Sequence, residues 1–260
     1  MRVELFEIGG YTLRSYGVIV ALAVLLGMGV ALYLARGTSF HKHIPNMTLY
    51  VLVGAIIGAR IWHVFFFQWP YYSKNLSQIV EIWNGGISIQ GALIGGIITA
   101  AVFAKIKQIP FWELADTLAP AIILGQAIGR IACFLNGDAF GSPTNSGFGI
   151  VYPAGTQAFA QYGAVPLWPA EIWEGQWDFI VFAFLITVKH KNLPKGVLFL
   201  IYNILYAIGR FSLEFLRGDS PRYSLNWTAG QWTSMTVIMI SFVIMLYLFM
   251  KHKGKSKLEN

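Results

Sequence analysis

Charge is what this sequence has least of. Only 12% of its 260 residues are Asp, Glu, Lys or Arg, while 56% are hydrophobic; soluble domains carry about 25% charged residues. With a mean hydropathy of +0.57, that imbalance excludes an ordinary soluble domain and makes the chain a polytopic membrane protein. Cysteine is nearly missing too. Cys133 is the one thiol, so no internal disulfide and no CxxC metal or redox site can form. The five histidines are scattered at 41, 43, 63, 190 and 252 and make no metal set; neither metal nor any other cofactor is expected. No Pro/Ser-rich or charged linker and no internal repeat interrupts the chain, so one polytopic domain over 1–260 is expected. Nor is a cleavable signal peptide, since Glu4, Glu7 and two glycines fall in the first 14 residues and no small-residue cleavage site follows a short apolar core.

Crossing the hydrocarbon takes about 20 apolar residues, and seven stretches qualify, at roughly 15–35, 47–67, 85–104, 117–135, 170–188, 196–215 and 232–250. The fold class expected is therefore all-α, with seven transmembrane helices. The fifth stretch is the weakest, because Glu171, Glu174 and Asp178 crowd its first turns. Glycine pairs at four-residue spacing (Gly54/Gly58, Gly91/Gly95, Gly125/Gly129) read as close helix packing. A formal charge of +7 invites a nucleic-acid reading, but the basic residues sit in short loops between apolar runs. They fit lipid headgroups and orientation instead. Eleven of the 19 fall on the side of the loops at 36–46, 105–116 and 189–195 and of the tail at 251–260. That side is expected to be cytoplasmic, which puts the N-terminus outside and the C-terminus inside.

Two surface elements and a tail complete the organisation. Leu76, Ile79, Val80 and Trp83 recur at helical spacing, which predicts a short helix lying in the outer interface. Residues 136–169 contain no Lys or Arg and are rich in Gly, Pro and aromatics; this stretch is too long for a simple turn and predicts an ordered extracytoplasmic head or lid. Lys251, Lys253, Lys255 and Lys257 make a basic cytoplasmic tail suited to anionic lipid.

Against this apolar background, three arginines inside spans stand out. A charge at membrane depth costs at least ~2.5 kcal/mol on insertion scales. At 1.5 Å per residue, Arg130 lies ~20 Å into span four and Arg210 ~21 Å into span six, with Arg60 at a similar level in span two. Gln90 lies near the outer end of span three. One reading is that each arginine snorkels or pairs with a carboxylate (Glu214, Asp138, Glu171 and Glu174 are at the right depth). The other is that they assemble around an anionic headgroup, because guanidinium presents a planar fork of donors to phosphate oxygens.

Residues 83–95 (WNGGISIQGALIG), 114–141 (LADTLAPAIILGQAIGRIACFLNGDAFG), 166–174 (PLWPAEIWE) and 205–219 (LYAIGRFSLEFLRGD) resemble the prolipoprotein diacylglyceryl transferases. The phrase GR followed by FLNGxxxG is the most specific part, and the resemblance runs from about Arg60 to Gln231. It implies a seven-span enzyme of the bacterial plasma membrane. Such an enzyme moves the diacylglyceryl group of phosphatidylglycerol onto the lipobox cysteine of a prolipoprotein signal peptide, releasing glycerol phosphate. Carried over by position, Arg130 looks like the motif arginine and Arg210 like its partner. Asn136, Gly141, Glu214 and Arg217 also match, as do Arg60 and Tyr16-Gly17. Three positions depart from the pattern: Gln90 stands where histidine is usual, Cys133 where asparagine is, and Asp138 where glutamate is. Gln has no basic lone pair comparable to imidazole.

The mechanism implied has Arg130 and Arg210 holding the phosphate as it leaves, with Asn136 and Gln90 orienting headgroup or peptide. Asp138 and Glu214 fix the arginines, or one of them assists thiol deprotonation. Arg60, Tyr16, Gly141, Glu214, Arg217 and Cys133 are expected to line the substrate site. Cys133 also reads as a small packing residue. Two other classes fit the composition: a diverged, non-catalytic relative that binds or transports an anionic lipid, and an anion channel lined by the arginines.

Overall fold

The computed structural model describes residues 4–8, 11–189, 191 and 193–256, with no side chains described for 4–13 and 254–256. Part of the basic tail therefore lies outside the described residues. An antiparallel hairpin opens the chain, β1 (Glu4–Ile8) with β2 (Tyr11–Arg14). It is an addition to the all-helical expectation, which holds for the regular elements that follow. These are α1 (Ser15–Leu34), α2 (Ile44–Trp62), α3 (Trp69–Tyr72), α4 (Ile89–Ile106), α5 (Phe111–Asn136), α6 (Gln157–Tyr162), α7 (Ala170–Lys189), α8 (Val197–Leu213) and α9 (Ala229–Ser256). Among the described residues, six helices are long and apolar enough to cross a membrane: Ser15–Leu34, His41–Phe67, Ile89–Ile106, Phe111–Asn136, Val197–Leu216 and Ala229–Lys253.

The expected fifth span is missing from that set for a simple reason. α7 is a continuous 20-residue helix, but Glu171, Glu174 and Asp178 are too many charges for an apolar count. All three are buried. They fall at i, i+3 and i+7, one face of a helix, and that face turns inward.

The chain forms two compact units, Leu32–Leu114 and Met1–Ala31 with Ala115–Asn260. In the first, α2 and α4 pack along the predicted glycine pairs. A Cβ on Gly58 would come within 2.9 Å of the Gly95 Cα, so the backbones touch where side chains would hold them apart. α2 ends in a π-helical turn, His63–Phe67. The predicted interfacial helix is instead two 3-10 turns, Leu76–Val80 and Ile82–Asn84. Their carbonyls explain the departure, because they converge on Arg60. Its Nε donates to the Ile79 carbonyl (2.8 Å), Nη1 to Gly85 and Gly86 (2.6 and 2.8 Å), and Nη2 to Gln78 and Glu81 (2.6 and 3.3 Å). The guanidinium also lies over the Tyr72 ring at 5.0 Å. An α-helix over 76–84 would have used those carbonyls internally.

In the other unit, α5, α7 and α8 pack around Ala119, Ile123, Val181, Leu185, Leu198 and Tyr202. α5 and α8 run the same way and α7 runs between their two ends. At one end Asp116 of α5 caps α8, its Oδ2 accepting from the Gly196 N–H (2.6 Å) and Oδ1 from that of Phe199 (2.9 Å). This satisfies two of the four orphan donors of a helix start. The opposite end carries the arginines.

Arg60→Lys is expected to destabilise the protein nearly as much as Arg60→Ala. Lysine keeps the charge but cannot present a planar fork to five carbonyls, and each buried acceptor left unpaired costs roughly 1–3 kcal/mol. A fall of about 5–10 °C in thermal midpoint, followed by tryptophan fluorescence in detergent, is the expected result; an unchanged midpoint for Arg60→Lys contradicts it.

Candidate functional site

Arg130 sits in the last two turns of α5, and Arg210 in the last turn of α8. Glu174, in the second turn of α7, lies between them. Its Oε1 pairs with Arg130 Nη2, and its Oε2 lies 3.1 Å from Arg210 Nη1. Arg210 Nη2 in turn lies 2.8 Å from Glu214 Oε2, one turn along the same helix. Glu214 is fixed from behind by the Thr228 hydroxyl, which donates to Oε1 at 2.8 Å. The approach of the helices depends on a missing side chain. A Cβ on Gly175 would lie 3.1 Å from the Arg130 Cβ, so glycine lets α7 close on α5 at the arginine.

Exposure separates the partners. The Glu174 side chain is 1% exposed, whereas those of Arg130 and Arg210 are 19% and 20% exposed. The carboxylate is behind, and each guanidinium keeps an open edge. Beside Arg130 lies a half-open cavity of about 250 Å³ between α5 and α7, with Ile131, Phe134, Ile172 and Phe179 in its wall. An open guanidinium at the edge of an apolar slot suits an anion that carries hydrocarbon.

A third guanidinium of the cluster is Arg217, from the turn after α8. Arg217 Nη1 lies 3.8 Å from Glu174 Oε2, while Nε and Nη2 form a bidentate pair with Asp219 at 2.7 and 2.5 Å. Burial works to lower the Arg217 pKa, but the hydrogen bonds and charge of Asp219 outweigh it, and the net shift is upward. The segment is held by Gly141, which bridges Arg217 and whose N–H donates to the Trp168 carbonyl at 3.1 Å. Gly141 thus positions Arg217 through its backbone. Arg60, by contrast, has all its donors engaged by carbonyls in its own unit.

α5 ends at Asn136 with Gly137 at φ +70°, its N–H donating to the Cys133 carbonyl at 2.9 Å, a helix stop that only glycine takes without strain. The stop delivers Asp138 back toward the helix. Asn136 Nδ2 donates to Asp138 Oδ2 at 3.0 Å, and Asp138 Oδ1 is buried with no hydrogen-bond partner. Cys133 lies within reach of both Asp138 and Arg130, and Tyr16, in the first turn of α1, is near enough to Cys133, Asp138 and Arg130 to feel their charge. Gln90 belongs to the Leu32–Leu114 unit, in the first turn of α4, where its Oε1 accepts from the Ser88 hydroxyl at 2.6 Å.

Over the cluster, residues 137–169 fold around Phe140, Tyr152, Ala158 and Leu167. Tyr152 donates its hydroxyl to buried Glu171, and Gln161 Nε2 and the Tyr162 hydroxyl reach the Gly218 carbonyl at 2.9 and 3.0 Å. Glu171, Glu174 and Asp178 are not among the site residues to which the sequence motifs point. Their signal was the single-face spacing described above.

The sequence profile of the prolipoprotein diacylglyceryl transferases matches residues 3–247. Proteins named phosphatidylglycerol–prolipoprotein diacylglyceryl transferase are similar over most of their length. The one from Nostoc sp. is 39% identical over 96% of this chain and 90% of its own. That from Acaryochloris marina is 38% identical over 84% and 80%, and that from Listeria monocytogenes 37% over 93% and 87%. The chain belongs to the prolipoprotein diacylglyceryl transferase family. Membership makes it a bacterial membrane protein.

Burial, then the hydrogen bond to Glu171, holds the Tyr152 phenol well above its usual pKa of about 10. Its stabilising contribution is therefore complete below pH about 10 and is lost as pH rises beyond it. Tyr152→Phe is expected to lower the thermal midpoint at neutral pH, costing about 1–3 kcal/mol for the carboxyl oxygen left unpaired. The same variant should lose less stability than wild type between pH 9 and 11; parallel melting curves across that range contradict the assignment.

Proposed function

We infer that this chain transfers the diacylglyceryl group of phosphatidylglycerol to the lipobox cysteine of prolipoproteins and releases glycerol phosphate. The observation that carries it is the pair Arg130 and Arg210, held from behind by Glu174, each with an open edge and with an apolar cavity alongside. In the reaction the thiol S–H breaks, its proton passing to water, and sulfur bonds the glyceryl carbon. The carbon–oxygen bond to phosphate breaks, its electron pair leaving on the phosphate oxygen. The reaction as written needs no cofactor. Arg130 and Arg210 hold the phosphodiester and stabilise the charge that grows as glycerol phosphate leaves. One acyl chain lies in the cavity between α5 and α7.

Asn136 and Asp138, at the end of α5, orient the signal peptide, and the unbonded Asp138 oxygen faces the region where the thiol arrives. Tyr16 and Cys133 close that side. Arg217 and Glu214 keep Arg210 and Glu174 in register. Arg60 has a different role: it pins the 76–86 segment that leads into α4 and Gln90. Gln90 orients a polar group of the substrate and takes no proton.

α7 is the seventh span. Its start meets the ends of α5 and α8 at Glu174, and its far end packs, through Leu185, with Ala119 and Leu198 from their starts. Twenty residues at 1.5 Å each cover ~30 Å, the thickness of the hydrocarbon. The N-terminus is then outside the plasma membrane, the C-terminus in the cytoplasm, and residues 137–169 form an extracytoplasmic head over the arginines.

Transfer of a radiolabelled diacylglyceryl group from phosphatidylglycerol to a lipobox peptide tests this reading. Arg130→Ala and Arg210→Ala are each expected to lose about 10²–10³-fold in rate, the scale of one lost donor to a developing anion. Equal product from wild type and Arg130→Ala contradicts the mechanism.

A second reading, a relative that binds or transports an anionic lipid without chemistry, draws on Gln90, whose carbonyl oxygen is already engaged by Ser88. Complementation of a strain depleted of the transferase, scored by lipoprotein maturation, separates the two. Rescue is expected, and Gln90→His should leave the rate unchanged or raise it; failure of wild type to rescue favours the binding protein.

A further inference from the structure

Charge is balanced around Glu174, and that balance sets a condition on any anion that enters. From α5 it is faced by Arg130, from α8 by Tyr206 and Arg210, and from the turn after α8 by Arg217. Arg210 also meets Glu214, and Arg217 meets Asp219. Three guanidiniums are thus matched by three carboxylates, Glu174, Glu214 and Asp219. On α7 itself, Glu171 keeps one buried oxygen without a hydrogen bond, and Asp178 keeps both. Asp178 is 0% exposed and lies one turn beyond Glu174 on the same face, close enough to Arg130 and Arg210 to interact with their charge. Neither of its oxygens has a hydrogen-bond partner among the described residues.

A phosphodiester seated on the open edges of Arg130 and Arg210 brings a further negative charge beside buried Glu174, so that both anions share the same two guanidiniums. Two anions sharing one set of donors in low dielectric raise each other's proton affinity.

We propose that a phosphodiester anion takes the open edges of Arg130 and Arg210 while Glu174 stays behind them, and that Glu174 takes up one proton as the anion binds. The new bond is an O–H on the Glu174 carboxyl, the proton coming from water during binding. The site's net charge is the same before and after. This rests on the reading that an anionic headgroup binds at these arginines, and it adds what the protein must do to accept one.

The linkage has a definite sign. A ligand that binds together with a proton binds more weakly as pH rises, by up to tenfold in Kd per pH unit while Glu174 is ionised in the free protein and protonated in the complex. Purified protein in detergent is titrated calorimetrically between pH 6 and 8 with short-chain phosphatidylglycerol, whose phosphodiester does not itself titrate in that range. Each titration is repeated in buffers of different ionisation heat, which reads the protons taken up. About one proton per bound ligand is expected for wild type. Uptake with phosphatidylglycerol supports the proposal. Glu174→Gln should bind with no uptake and a pH-independent Kd, while Asp178→Asn should keep the uptake.

Binding to wild type without proton uptake overturns this proposal alone. So does uptake that survives in Glu174→Gln, or that vanishes in Asp178→Asn while Glu174→Gln retains it. Absence of any phosphatidylglycerol binding overturns the transferase reading as well. Should Glu174→Gln fail to accumulate, the buffer dependence of wild type and Asp178→Asn still decides.

Discussion

One buried carboxylate, shared by arginines from two helices, is the contact on which this half of the protein depends. Without Glu174, Arg130 and Arg210 would face each other across a water-poor interior with nothing between them. Removing one partner of a buried ion set leaves an uncompensated charge, commonly worth 3–5 kcal/mol. The arrangement also fixes where each guanidinium points. Glu174 takes Nη2 of Arg130 and Nη1 of Arg210, and Glu214 takes the other terminal nitrogen of Arg210. Each side chain is therefore held in one direction before any ligand arrives, which is the preorganisation that makes electrostatic stabilisation effective.

The rest of the unit can be understood as support for that contact. Gly175 brings α7 onto α5, and Asp116 ties the opposite ends of α5 and α8 together. The loop region at 137–169 closes from the other direction, linked to Glu171 by Tyr152 and to Gly218 by Gln161 and Tyr162. Both ends of the α5–α8 pair are thereby fixed.

Much of this was legible in the sequence. Low charge and long apolar runs gave the membrane class and six of the helices, and segment arithmetic put Arg130 and Arg210 at one level. The limits have physical causes. The weak fifth stretch was penalised for carboxylates that composition counts as exposed charge, although their spacing placed them on one face. Arg217 read as a loop residue because its approach to Glu174 depends on the Gly141 bridge, a contact between segments more than 70 residues apart. Arg60 resembled the other intramembrane arginines in every local respect. Only the folding of a distant loop reveals that carbonyl groups occupy its donors, and no periodicity encodes where a carbonyl will point.

That loop has a property of its own. Arg60 grips the 78–86 segment by main-chain oxygens, so it reads length and turn shape and is blind to side-chain identity. Residues such as Leu76, Val80 and Trp83 are consequently free to be exchanged for others without loosening the grip. Loss of a single residue, or of the positive-φ pair Gly85-Gly86, would shift the oxygens out of register. The loop is thus a surface whose chemistry can drift while its path stays put.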